Sequence, residues 1–135
     1  MTSVVSGPVP SMDDWLREAK LSPVGGECGM FLVHNGVVRE SSRAKVRFGA
    51  DDGRVVKGMR FSFNLGLVEK GVEETNRLDG IFFVKVWLNE GLLGIGDDVM
   101  FVMVGGDIRP RVIGALEFLV GFLKEDCVVE SEVLE

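Results

Sequence analysis

The stretch from residue 97 to residue 124, DDVMFVMVGGDIRPRVIGALEFLVGFLK, constrains the fold more than any other part of the chain. Residues 99–104 form an unbroken apolar run between Gly96-Asp97-Asp98 and Gly105-Gly106-Asp107, which predicts a short buried strand. Pro110 follows where a first helical turn tolerates it, because its fixed φ suits the helix and its missing N–H would have had no partner. The spacing predicts a helix from about Arg109 to Lys124. Ile113, Leu116, Val120 and Leu123 recur at helical steps, but Ala115, Phe118 and Phe122 make the other side apolar too. Such a helix should be covered on most sides, by its own sheet and by a second subunit. Gly114 and Gly121 each cost about 1 kcal/mol of helix propensity. Either a neighbouring element approaches them closely, or they are poor residues in a helix held by burial. Lys124 ends the helix, where the helix dipole favours a cation whether or not the residue has a further task.

The rest of the chain supplies partners for this unit. Ser11 or Asp13 can cap a short helix over residues 14–20, whose Trp15, Leu16 and Ala19 would lean on the body. Before it, residues 1–10, with Pro8 and Pro10, read as a loose arm, which leaves residues 11–135 as a single domain. Residues 28–38, CGMFLVHNGVV, read as a strand whose internal Gly36 suggests a bulge or a close backbone approach. Arg39 follows at the strand end, where a side chain faces either a pocket or solvent. Further strands are expected at residues 44–48, 55–63 and 81–88, with a hairpin turn at Asp51-Asp52-Gly53. Asn64 can cap a helix over residues 65–78, with Leu65, Val68, Val72, Thr75 and Leu78 on one face. The tail EDCVVESEVLE can add an edge strand. Two sizeable helices and five or six strands predict an α+β fold, helices packed on a mainly antiparallel sheet.

Composition excludes several functions. A net charge of −6 gives no electrostatic footprint for nucleic acid. No apolar run reaches the roughly 20 residues of a membrane span, and no secretory leader is evident, so a cytoplasmic location is expected. Cys28, Cys127 and the single His34 fit no zinc spacing, so reduced thiols and no metal are expected. NEGLLGIG, residues 89–96, resembles a nucleotide-binding glycine fingerprint only superficially, because it does not run from a strand straight into a helix. No serine or cysteine nucleophile sits in a recognisable motif.

The order and spacing of these elements resemble the large, catalytic subunit of molybdopterin synthase. CGMFLVHNGVVR is similar to that family's strand C-G-A-x-x-x-F-x-G-x-V-R, with Gly36, Val38 and Arg39 in register. The opening helix, the Asn64-capped helix, the loop GLLGIGDD and the closing strand–turn–helix to Leu123-Lys124 follow in the family's order over nearly the whole chain. The resemblance implies the α/β hammerhead fold, a homodimer, and a pocket that receives the C-terminal thiocarboxylate of a small ubiquitin-like sulfur carrier. It implies sulfur transfer to cyclic pyranopterin monophosphate, a pterin phosphate, with no cofactor required. By the same resemblance Lys124 is the catalytic lysine beside the thiocarboxylate and Arg39 a substrate-binding arginine.

Some positions depart from that pattern. Asp107-Ile108 stands where the family has His-Arg, with Arg109 and Arg111 nearby as substitute substrate-binding cations. A second family lysine falls on Ser131, between Glu130 and Glu132, and the family's phenylalanine before Gly36 is His34. The acidic-aromatic motif ahead of the middle helix is replaced by residues 61–64, FSFN. Two functions therefore stand beside each other: a divergent sulfur-transferring enzyme, or a non-catalytic module that keeps the fold and dimer and binds a partner.

Overall fold

Strand β6 (Asp98–Gly106) lies between two other strands and is buried along almost its whole length. It pairs antiparallel with β4 (Ile81–Leu88) on one side and with β2 (Met30–Val37) on the other. The computed structural model describes residues 1–40 and 56–134. Lys85 apart, β4 and β6 are apolar without alternation over residues 81–88 and 99–104 because helices cover both faces of this sheet. On one face Val84, Val86, Val102 and Val104 pack with Val68 and Val72 of α2 (Leu65–Asn76) and with Val112 and Leu119 of α3 (Arg109–Phe122). On the other, Phe83, Trp87, Phe101 and Met103 pack with Trp15 and Ala19 of α1 (Met12–Leu21).

The helix ends follow local chemistry. The Ser11 hydroxyl accepts from the Asp14 N–H at 3.3 Å to cap α1, and the Asn64 side chain accepts from the Leu67 N–H at 3.1 Å to cap α2. α3 begins with Pro110 in its first turn.

The expected loose arm is, over Thr2–Val5, a strand, β1, paired in parallel with residues 84–87 of β4. It completes a four-stranded sheet of order β1-β4-β6-β2. The Trp87 indole N–H donates to the Gly7 carbonyl at 3.1 Å, and the amino terminus donates to the Phe82 carbonyl at 2.7 Å. A second sheet has the order β5-β3-β7, made from β5 (Gly91–Gly94), β3 (Val56–Phe63) and β7 (Val128–Leu134), all antiparallel. The architecture is thus α+β, with the β1–β4 pairing as its parallel exception. The strand expected at 44–48 and the turn at 51–53 lie outside the described residues.

The buried face of α3 differs from the expected one. Val112, Ala115 and Leu119 point inward, continued by Leu123, whereas Ile113 and Phe118 are exposed. A helix apolar on most sides carries little periodic information, so the face is chosen by packing against the sheet and α2. Burying each of these larger side chains is worth about 1.5–3 kcal/mol, which outweighs the cost of Gly114 and Gly121. A Cβ at either glycine would meet nothing within 4 Å in this chain. The close approach is at Gly71 of α2, where a Cβ would meet the Phe122 ring at 2.5 and 2.7 Å.

Candidate functional site

Arg39 leaves the first sheet at a bulge. The register of β2 against β6 shifts between Gly36 and Val37, as the internal glycine suggested. Val38 then turns inward and is buried; its N–H donates to the Asp97 carbonyl at 3.0 Å and its carbonyl accepts from the Gly96 N–H at 2.8 Å. On the other side of Arg39, the Glu40 carbonyl accepts from the Val56 N–H at 3.1 Å. The backbone that carries the guanidinium is held at both ends.

Lys124 lies in a widened π-type turn, Leu123–Cys127, between α3 and β7. Leu123 and Cys127 are buried and anchor the turn, so Lys124, Glu125 and Asp126 between them are pushed to the surface. Extra-wide turns of this kind recur at functional sites. The strand that follows brings Glu130 and Glu132, two positions apart and hence on one face of β7.

These segments meet over one cavity between the two sheets. Arg39 and Lys124 both line it, with Gly36 and Val37 beside them. Val99 and Met100 of β6 give it an apolar wall, and Met59 of β3 with Glu130 and Glu132 of β7 completes it. Two cations and two carboxylates therefore share the space. None of Arg39, Glu130 and Glu132 is without a partner in the fold, whereas Lys124 makes no ion pair with any described residue.

His34 lies behind the cavity. Its Nε2 is within 3.7 Å of where a Cβ on Gly36 would sit, is shielded from solvent, and has no hydrogen-bond partner among the described residues. Burial, and then the Lys124 charge, hold its pKa below the ordinary histidine value. An imidazole that stays neutral here is one the neighbouring ammonium does not repel.

Arg109 and Arg111 are not brought to this cavity. They sit at the start of α3, and about 20 Å of helix, at 1.5 Å per residue, separates them from the Lys124 turn. Arg111 forms a 2.7 Å salt bridge with Asp107, whose other oxygen accepts from the Ile108 N–H at 2.6 Å. The carboxylate at this departure from the family pattern thus holds the start of α3. No cluster of histidine, cysteine or carboxylate side chains able to hold a metal occurs among the described residues, and no helix among them is long and apolar enough to cross a membrane.

The residues that sequence reasoning left out of the site are His34, Glu130 and Glu132. The signal for the two glutamates was present: a tail read as an edge strand, with acids at alternate positions, puts both acids on one face.

Fold and cavity together define an α+β domain of two sheets with a cavity of mixed charge between them. A family model described as MoaE protein matches residues 11–126. The chain belongs to that family, the large subunit of molybdopterin synthase. A comparison with curated proteins returned no match. Among solved structures it is similar to molybdopterin synthase from Staphylococcus aureus, at 20% identity and a TM-score of 0.72, covering 98% of this chain and 90% of that one. The molybdopterin biosynthesis MoaE protein from Burkholderia ambifaria MC40-6 is similar at 18% identity and a TM-score of 0.71, covering 99% and 90%. A complex of subunits 1 and 2 of molybdopterin-converting factor from Helicobacter pylori 26695 contains a chain similar at 17% identity and a TM-score of 0.66, covering 99% and 85%. At these identities the likeness speaks for the fold.

Proposed function

We propose that the chain works as the sulfur-transferring subunit of a molybdopterin synthase in molybdenum cofactor biosynthesis. A thiocarboxylate at the C-terminal Gly-Gly of a small ubiquitin-like carrier enters the cavity. The dithiolene of molybdopterin holds two sulfurs, so two such tails act in turn. Each thiocarboxylate sulfur replaces an oxygen on cyclic pyranopterin monophosphate, and water cleaves the thioester so formed, releasing the carrier as a carboxylate. Arg39 binds the phosphate, and Lys124 stands beside the acyl centre, where its ammonium stabilises negative charge that develops on oxygen and sulfur. Within one chain the phosphate is left to Arg39, because Arg109 and Arg111 lie at the other end of α3. The working form is a cytoplasmic homodimer that takes the carrier as its partner.

The observation that supports this reading is the shared cavity of Arg39 and Lys124, which come from separate segments. The test supplies thiocarboxylated carrier and cyclic pyranopterin monophosphate and follows formation of the dithiolene product. Product should appear with the natural chain and be lost with Lys124→Ala. No product with any carrier, or full activity in the variant, refutes the reading. Sedimentation tests the dimer separately, and a strict monomer at micromolar concentration counts against it.

One observation favours the second reading, a non-catalytic module that binds a ubiquitin-like tail. Glu130 and Glu132 line the same cavity and weaken its pull on anions. Stable binding of a carrier tail without any sulfur transfer would be its signature.

A further inference from the structure

Acidic side chains oppose the gathering of a phosphate and a thiocarboxylate, yet β7 brings two to the cavity, each with a partner in the fold. Glu130 and Glu132 are both partly buried, while Val129 and Ser131, before and between them, face outward and are exposed. Strand register sets Glu132 opposite Met59, another cavity residue, and Glu130 opposite Phe61. Both carboxylates therefore reach the cavity because of the pleat of a paired strand, and no loop is needed to bring them there. Around them, Met59, Val99 and Met100 offer an apolar, polarizable surface suited to the face of a flat ring.

We propose that Glu130 and Glu132 are specificity-determining residues that accept hydrogen bonds from the adjacent lactam N–H and 2-amino group of a 2-amino-4-oxopyrimidine ring, the donor edge of a pterin. A carboxylate has two acceptor oxygens, which match two parallel N–H donors; an arginine or lysine in the same place has no acceptor at all. The cavity then divides its work. Arg39 and Lys124 take the anionic groups, the carboxylates take the donor edge, and the two methionines with Val99 take the ring face. The acids on either side of Ser131, where the family's second lysine falls, become a change in how the ring is held. The inference rests on the function proposed above, because it assumes that the phosphate-bearing substrate is a pterin.

The two ways of reading these carboxylates predict opposite signs. If they only weaken the cavity's hold on anions, Glu130→Gln and Glu132→Gln remove a negative charge and tighten every anionic ligand. If they read the donor edge, the same changes weaken the pterin phosphate, although it too is an anion, since the amide turns an N–H toward the ring's N–H groups. Calorimetric titration of the natural chain and both variants with cyclic pyranopterin monophosphate, and in parallel with inorganic phosphate, separates them. We expect the pterin phosphate Kd to rise at least ten-fold in one or both variants, with phosphate binding equal or tighter. Retained phosphate binding also reports that the variant is folded. In turnover, KM should rise with kcat changed by less than about three-fold. Equal or tighter pterin phosphate binding in both variants overturns this inference and leaves the sulfur-transfer reading standing. A natural chain that takes up neither probe overturns both.

Discussion

The Lys124 ammonium acts on His34 from across the cavity wall, and together with burial it keeps the imidazole below its ordinary pKa. Burial is the larger cause, and the lysine adds to it because a second cation beside the first is unfavourable. The arrangement joins a residue of β2 to one in the turn after α3, so a change in either should be felt by the other.

The sign of the resulting pH dependence is fixed. In the unfolded chain His34 titrates near 6.5, and in the folded chain lower. Between those values the unfolded state binds more protons, so its contribution to stability is full above about pH 6.5 and is lost as pH falls through the folded pKa. Urea midpoints should therefore fall from pH 7 to pH 5 more steeply in the natural chain than in His34→Gln. His34 is the only histidine, so its imidazole NMR signal is unambiguous. In Lys124→Ala that signal should titrate at higher pH than in the natural chain. An unmoved titration would show that the lysine charge does not reach it.

Arg39 should matter to anion binding as a fork of donors as well as a charge. Loss of a charge-assisted hydrogen bond costs about 1.5–3 kcal/mol, so Arg39→Ala should weaken inorganic phosphate binding by roughly ten-fold or more. Arg39→Lys should recover only part of it, because a point charge cannot reproduce a planar pair of N–H donors. Calorimetry at low and at moderate salt checks both, and equal binding by the lysine variant would reduce Arg39 to its charge.

Gly80 and Gly91 both have positive φ, +76° and +97°, but their surroundings differ. A Cβ at Gly80 would run into the Asp107 carboxylate and would lie 2.7 Å from Arg111 Cδ; one at Gly91 would meet nothing. Gly91→Ala carries the backbone cost alone, about 1 kcal/mol. Gly80→Ala carries that cost and also disturbs the Asp107–Arg111 pair and the start of α3, so it should destabilise by more, about 2–3 kcal/mol. Thermal unfolding of the two variants side by side tests the ranking.

How much of this was legible in the sequence depended on whether the cause was local. β4, β6, and the caps at Ser11 and Asn64 follow from short-range chemistry, and each lies within a residue or two of its expected place. β1 was not legible, because Thr2–Val5 is short and begins with polar residues; it is a strand only because the edge of β4 offers a partner and Trp87 ties down Gly7. The inward face of α3 was hidden for the opposite reason, an excess of apolar residues. In the cavity, Arg39 and Lys124 came from the family pattern, whereas His34 stood out only as a departure from it. What makes His34 notable is an unpartnered nitrogen and a nearby cation, and neither can be read from a strand pattern.

The chain's own thiols should take no part in sulfur transfer. Cys127 shares a turn with Lys124, which makes it the natural suspect for a sulfur relay, but its side chain points into the core and does not line the cavity. Burial first, and the Asp126 charge second, push its pKa up to about 11. At pH 8 roughly one Cys127 in a thousand would be a thiolate. Cys28 is half-buried, with its pKa raised by burial and then by Glu27, and its thiol donates to the Val24 carbonyl at 3.5 Å. Ellman's reagent at pH 8 should therefore modify the native protein slowly, at Cys28 before Cys127, and both rapidly once urea unfolds the chain; mass spectrometry of the labelled peptides assigns the sites. Cys127→Ala should cost about 1 kcal/mol for the small void it leaves, yet keep its sulfur-transfer rate when supplied with thiocarboxylated carrier. A variant that folds and binds the carrier tail but transfers no sulfur would place Cys127 on the sulfur's path and remove Lys124 from its proposed position as the group acting directly on the thiocarboxylate.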